Sequence, residues 1–264
     1  MVCRCAARRS ASRVPAQTTA PTYAKAPLVS SLRPRFRPRG PAALLCVAML
    51  LALLMAFARP AAAEPLRVIA FGDSLSAGFQ LPADAAFPAQ LEARLKKDGY
   101  DVRVINASVS GDTTRGGLAR LSYALRDGGD LLILELGAND MLLGFDPATT
   151  RDNLEKIVTQ AQAKGLDVVL AGMLASANFG EERQKAFDAI FPDLSARRGL
   201  PLYPFFLAGV IGETGTTLVD GLHPSRAGVA KIVAGVAPLV EKSLDSLQSK
   251  RRDARDGVAI RPSP

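Results

Sequence analysis

From Leu66 onward, short runs of Val, Leu and Ile alternate with longer stretches whose apolar residues recur at helical spacing. The runs predict strands over Leu66–Phe71, Val102–Asn106, Leu131–Glu135, Asp167–Gly172 and Leu200–Tyr203. They lack in/out alternation, as strands covered on both faces do. Helices are predicted over Phe87–Asp98, Thr114–Arg126, Thr149–Lys164 and Glu181–Arg198. A last helix over Ser225–Leu247 carries Val229, Ile232, Val233, Val236, Leu239, Val240 and Leu244 on one face. Strand and helix in alternation predict an α/β fold with a five-stranded parallel sheet. Beyond Ser249 the chain is polar and aperiodic, which predicts a domain over 64–248 and a disordered tail over 249–264.

The segment before the first strand has a different pattern. Residues Ala42–Ala58 form an uncharged apolar stretch, preceded by a basic region and followed by Arg59-Pro60-Ala61-Ala62-Ala63. Basic region, apolar core and a small-residue end are the layout of a signal peptide. Residues 1–63 are therefore expected to be a basic leader and signal peptide cleaved after Ala63, which places the protein in the periplasm or outside the cell. An uncleaved inner-membrane signal anchor is the alternative, since the core is near the length that spans a bilayer.

This division changes the meaning of the net charge of +8. The first 63 residues contain ten Lys or Arg and no Asp or Glu, so 23 basic residues face 25 acidic ones from Glu64 onward, a net of −2. A nucleic-acid partner is not expected of such a domain. All three cysteines, Cys3, Cys5 and Cys46, also lie in the leader, which excludes disulfide and thiol chemistry from the domain. One histidine and scattered carboxylates predict no metal site, and no cofactor is called for.

The single histidine, His223, lies in Asp220-Gly221-Leu222-His223-Pro224, far downstream of Gly72-Asp73-Ser74-Leu75-Ser76. Asp220 can orient the imidazole at Nδ1, leaving Nε2 to take a proton from Ser74 as nucleophile. Ligands of open parallel sheets gather at the carboxyl ends of the strands. Ser110-Gly111-Asp112 and Gly137-Ala138-Asn139-Asp140 also fall there, so the Ser74 and Gly111 N–H groups and the Asn139 amide can form an oxyanion hole. Turn-forming roles for Gly111, Asn139 and Asp220 are the alternatives at this level. Leu75, Met141, Leu142, Phe145 and Phe179 are candidate linings of an acyl groove, with core packing the alternative.

These four segments, in this order and spacing, resemble the blocks of the SGNH, or GDSL, hydrolase family. Within it the chain most resembles the periplasmic acyl-CoA thioesterase I / lysophospholipase L1 / arylesterase group. Gly116-Gly117-Leu118-Ala119-Arg120-Leu121, Ala177-Asn178-Phe179-Gly180 and Pro201-Leu202-Tyr203-Pro204-Phe205-Phe206 extend the likeness. The group often has two glycines before its asparagine where this chain has Gly137-Ala138, and nothing comparable is matched at Glu213–Thr217. The resemblance implies a three-layer α/β/α, flavodoxin-like fold. It also implies a serine esterase acting on carboxylic esters, acyl thioesters or lysophospholipids through an acyl-enzyme on Ser74, with catalytic Ser74, Asp220 and His223. Its expected partner is a small acyl ester or thioester, bound by a monomer with no stable membrane partner after signal cleavage. A carbohydrate O-deacetylase with the same triad, or a non-catalytic ligand-binding domain, is the alternative.

Overall fold

The computed structural model describes residues 64–259; apart from Met49, the leader, including the apolar stretch over 42–58, lies outside the described residues, as do residues 260–264. Among the described residues no helix is long and apolar enough to cross a membrane.

Five strands, β1 (Leu66–Gly72), β2 (Val102–Asn106), β3 (Leu131–Glu135), β4 (Asp167–Ala171) and β5 (Leu202–Tyr203), pair in parallel in the order β2-β1-β3-β4-β5. Every residue of β3 is buried, and so are all but the second of β1 and the first of β4. Their continuous apolar runs follow from having helices on both faces. The edge strand β2 buries only Val102 fully.

The helices are α1 (Ser74–Ala77), α2 (Phe87–Lys97), α3 (Thr114–Ala124), α4 (Ala138–Leu142), α5 (Pro147–Ala163), α6 (Glu181–Asp188), α7 (Ile190–Arg198) and α8 (Arg226–Ala259). α2 packs against α8, while α5 packs against both α3 and α7. Right-handed crossovers that run outward from β1 in both directions put these two groups on opposite faces. The result is the three-layer α/β/α sandwich, with its topological switch point between β1 and β3, where the carboxyl ends of the strands open a crevice.

Two predictions differ by more than one or two end residues. The helix expected over Glu181–Arg198 is broken into α6 and α7 at Ala189, with Pro192 in the first turn of α7. Proline has no N–H to continue a helix but is tolerated in a first turn. The tail predicted to be disordered from Ser249 is helical through Ala259. Its Lys250 reaches Asp167 (2.8 Å), and Arg251 reaches Asp130 (2.6 Å) and the Glu64 carbonyl (3.1 Å). Charge pairs with the amino ends of the strands hold this last stretch, so it has no apolar periodicity to read.

Candidate active site

β1 delivers Ser74 to the switch point and stops there. Its final residue, Gly72, has no room for a Cβ, which would stand 2.4 Å from a Glu135 carboxylate oxygen and 2.6 Å from the Glu135 carbonyl. Asp73 then caps the one-turn helix α1, its Oδ1 accepting the Leu75 N–H at 3.0 Å. Ser74 is the first residue of that turn, so its own N–H has no intrahelical partner.

His223 arrives from the other end of the chain. The segment before it, unmatched in the sequence, forms its support: the Leu218 N–H donates to the His223 carbonyl (2.7 Å), the Ser225 N–H to the Thr216 carbonyl (2.8 Å), and Thr217 bridges antiparallel to Pro224. α8 closes on this support through Gly228, whose Cβ would come within 2.0 Å of the Thr216 carbonyl.

The three candidate catalytic side chains meet. His223 Nε2 lies 2.9 Å from Ser74 Oγ, and Nδ1 lies 2.7 Å from Asp220 Oδ2. The other Asp220 oxygen accepts the backbone N–H groups of Leu222 and His223, each at 2.9 Å. These two bonds, with the imidazole, lower the Asp220 pKa to about 2, so it is ionised wherever a histidine can act as base. The Phe79 ring packs on the imidazole with centroids 4.4 Å apart. A residue of the serine loop thus packs against the histidine as well, whereas in the sequence Phe79 belongs to a partly apolar loop suited to touching a substrate.

The candidate oxyanion donors occupy three strand ends. Among the described residues no acceptor is found for the N–H of Ser74 or of Gly111. Gly111 has φ +81°, a conformation open to glycine. Asn139 is at the start of α4, and its Nδ2 donates to the Asp112 carbonyl (2.8 Å) and to Asp73 Oδ2 (3.0 Å). The departure at Ala138 is accommodated because the residue that needs positive φ is Gly137 (+126°); Ala138 begins α4 and adds its methyl to the cavity wall.

Two further carboxyls lie beneath the serine, fully buried. Glu135 Oε2 accepts from Ser76 Oγ (2.8 Å) and, at 3.3 Å, from the Asp73 N–H, while Oε1 has no partner among the described residues. Burial, with the nearby Asp73 charge adding to it, holds the Glu135 carboxyl well above the ordinary carboxylate range. Burial also pushes Asp73 up to about 7. Glu135 reads as a strand residue in the sequence; only the pairing of β3 with β1 brings it under Gly72.

Ser74, Asn139 and His223 open onto a cavity of about 510 Å³ with a predominantly apolar wall. Of the candidate linings, Leu75, Met141 and Leu142 border this cavity; Phe145 and Phe179 do not. Phe145 is half-buried and offers its carbonyl to Arg183 (2.6 Å), and Phe179 lines a separate surface pocket with Gly144, Pro147 and Arg183. The rest of the wall comes from residues the sequence did not single out: Met173, Leu174 and Ala175 after β4, Phe205, Leu207 and Ile211 after β5, and Leu222 beside the histidine.

A parallel sheet carrying a linked Ser-His-Asp array at its carboxyl edge is the arrangement of an α/β serine hydrolase. Residues 70–231 match the GDSL-like Lipase/Acylhydrolase family. The chain belongs to this family and is a serine esterase of the SGNH type. It is 39% identical over 192 residues to "Esterase TesA" of Pseudomonas aeruginosa, an alignment that spans 72% of this chain and 94% of that one. It is also 40% identical over 169 residues to "Thioesterase 1/protease 1/lysophospholipase L1" of Escherichia coli K12, spanning 64% and 79% of the two chains. Among solved structures, a crystal structure of TesA superposes with a TM-score of 0.64 at 38% identity, covering 67% of this chain and 99% of that chain. AlinE4, an SGNH-hydrolase family esterase, superposes with a TM-score of 0.58 at 40% identity, covering 69% and 97%.

Proposed function

We propose that this esterase hydrolyses esters and thioesters of apolar acyl chains, lysophospholipids included, through an acyl-enzyme on Ser74. One observation carries the reading: the hydrogen-bonded line from Asp220 through His223 to Ser74 ends at a mostly apolar cavity of about 510 Å³. Ser74 Oγ attacks the acyl carbonyl while His223 Nε2 takes its proton, and the Asp220 carboxylate stabilises the imidazolium. The charge that develops on the carbonyl oxygen is received by the N–H groups of Ser74 and Gly111, with Asn139 sharing a hydrogen it already donates. The imidazolium then protonates the departing alcohol or thiol, and a water activated by His223 releases the acid.

The wall favours acyl chains over acetylated sugars. A sugar would leave its hydroxyls unpaired against Leu, Met, Ile and Phe side chains, which disfavours the deacetylase alternative. A relative that carries thioesterase and lysophospholipase in its name supports acyl thioesters and lysophospholipids as substrates. Each methylene buried in the groove contributes about 0.8 kcal/mol. On p-nitrophenyl esters, kcat/KM should therefore rise roughly three- to fourfold per methylene from acetyl until the groove is filled. A profile that peaks at acetyl, with turnover of acetylated sugars, would replace this reading by the deacetylase.

The apolar core over 42–58 and the Ala61-x-Ala63 end support export to the periplasm or beyond, with cleavage after Ala63. Glu64 and Pro65 then precede β1, which starts at Leu66. The mature enzyme acts as a monomer without cofactor or stable membrane partner. N-terminal sequencing of exported protein should begin at Glu64; retention of residues 42–58 would make the leader an anchor.

A further inference from the structure

The segment Gly116-Gly117-Leu118-Ala119-Arg120 lies outside the catalytic line, yet its geometry converges on the three candidate oxyanion donors. α3 starts beside the Gly111 loop, and its two glycines let it lie close. A Cβ on Gly116 would fall 2.0 Å from Asp112 Oδ1, and one on Gly117 would fall 2.4 Å from Leu136 and 3.3 Å from the Phe71 ring. Arg120, one turn further on, is thereby brought over β1.

Its guanidinium uses each nitrogen on a different acceptor. Nε donates to the Asp112 carboxylate, Nη1 to the Ala107 carbonyl and Nη2 to the Gly72 carbonyl at 3.1 Å, while the group lies 4.0 Å from the Phe71 ring centroid. Ala107 and Asp112 are the two ends of the loop that presents Gly111. Gly72 is the last residue of β1 before Asp73 and Ser74. The Asp112 backbone carbonyl, in turn, accepts from Asn139 Nδ2. One planar cation therefore ties together the segments that carry the Ser74 N–H, the Gly111 N–H and the Asn139 amide.

We infer that Arg120 is the positioning residue of the oxyanion hole: it touches no substrate, and it fixes the spacing of the three donors. The inference rests on the oxyanion-hole reading above. Its physical ground is that preorganised donors contribute to the transition state only while they need not move as charge develops. The two donor loops leave neighbouring strands, β1 and β2; the Val109 N–H also donates to the Gly72 carbonyl (3.0 Å) and Asn139 itself bridges Asp73 and Asp112, while Arg120 is, among the described residues, the side chain other than a donor that binds both the Gly72 carbonyl and the Gly111 loop. Lysine could not replace the arginine, because an ammonium on a flexible stem cannot hold three acceptors in one plane.

The test uses Arg120→Lys and Arg120→Met in the full esterase, beside Asn139→Ala and the double variant Arg120→Met/Asn139→Ala. Far-UV circular dichroism and thermal melts establish folding. Arg120→Met should lower kcat on a p-nitrophenyl ester by roughly tenfold to a hundredfold with KM changed less than threefold. Arg120→Lys should fall nearly as far, and serves alone if the methionine variant does not fold. In a further variant, Arg120→Ala, which leaves room for the added group, ethylguanidinium should restore part of the lost kcat, and it should restore none of that of Asn139→Ala. The double variant should be much less impaired than the product of the two single losses, because both act on one hole. Wild-type kcat in Arg120→Lys, a loss confined to KM or stability, or losses that multiply would overturn the inference. Failure of the oxyanion reading itself shows separately, as Asn139→Ala retaining its kcat.

Discussion

Asn139 donates a 3.0 Å hydrogen bond to the carboxylate of Asp73, the residue immediately before Ser74, across 66 positions of chain. With the 2.8 Å bond to the Asp112 carbonyl, this fixes the amide beside the nucleophile before any substrate arrives. An amide held there suits the proposed oxyanion donor, and the two bonds are what a turn-stabilising asparagine would also make.

Replacement of Asn139 by alanine separates the two roles. A donor that strengthens only in the transition state predicts a kcat lower by roughly a hundredfold or more, with KM nearly unchanged. The two lost hydrogen bonds, at about 1 kcal/mol each, should lower the melting temperature by roughly 4–8 °C. Steady-state kinetics beside a thermal melt distinguishes this from a turn role, which predicts lost stability with kcat near wild type in the folded fraction.

Asp220→Asn should preserve the loop, since an amide oxygen can still accept the Leu222 and His223 N–H groups that the carboxylate accepts now. What changes is the group facing Nδ1, where an amide N–H favours the wrong imidazole tautomer. kcat should fall roughly a thousandfold or more at neutral pH, and the melting temperature should fall only by what one exposed, solvent-screened charge contributes. The depressed pKa of about 2 means that Asp220 contributes stability above the unfolded value of 3.8, and that this contribution is lost only as pH falls through about 2. An Asp220→Asn enzyme with near-wild-type kcat would reduce Asp220 to a loop residue.

The buried carboxyls beneath Ser74 make stability depend on pH in the opposite sense. Glu135 and Asp73 have raised pKa values in the fold, so their contribution is fully present below the ordinary carboxylate range and is lost as pH rises, for Asp73 through about 7. Glu135→Gln keeps an acceptor for Ser76 and the Asp73 N–H but cannot ionise. Its stability relative to wild type should therefore increase as pH is raised from 5 to 8, measured by urea denaturation. A stability difference that is constant or shrinks over that range would mean that Glu135 is not held protonated at the acid end.

Much of the architecture was legible because central strands buried on both faces must be apolar throughout; β2 and β3 have the predicted boundaries. The break at Ala189 was signalled by Pro192 and masked by the helix-forming residues on both sides of it. The end of α8 left no apolar signal, since Lys250 and Arg251 bind carboxylates near the strand starts instead of burying surface. The pairings of Ser74, His223 and Asp220 could be anticipated from residue chemistry and chain order. The groove could not: Met173, Leu174 and Ile211 face it through the paths of loops after β4 and β5, which one-dimensional periodicity does not encode, while Phe145 and Phe179 turn elsewhere.

The central claim is that Ser74 is the nucleophile of the esterase, and the most direct test is covalent labelling of the purified protein with a fluorophosphonate, followed by peptide mass spectrometry and ester turnover of Ser74→Ala. A nucleophilic Ser74 should take one label per chain, with activity lost in proportion to labelling. Ser74→Ala should take no label and lose nearly all turnover while remaining folded, and the double variant with His223→Ala should be little worse, because members of a triad act as a unit. A label on another residue, or substantial turnover by Ser74→Ala free of contaminating esterase, would contradict it.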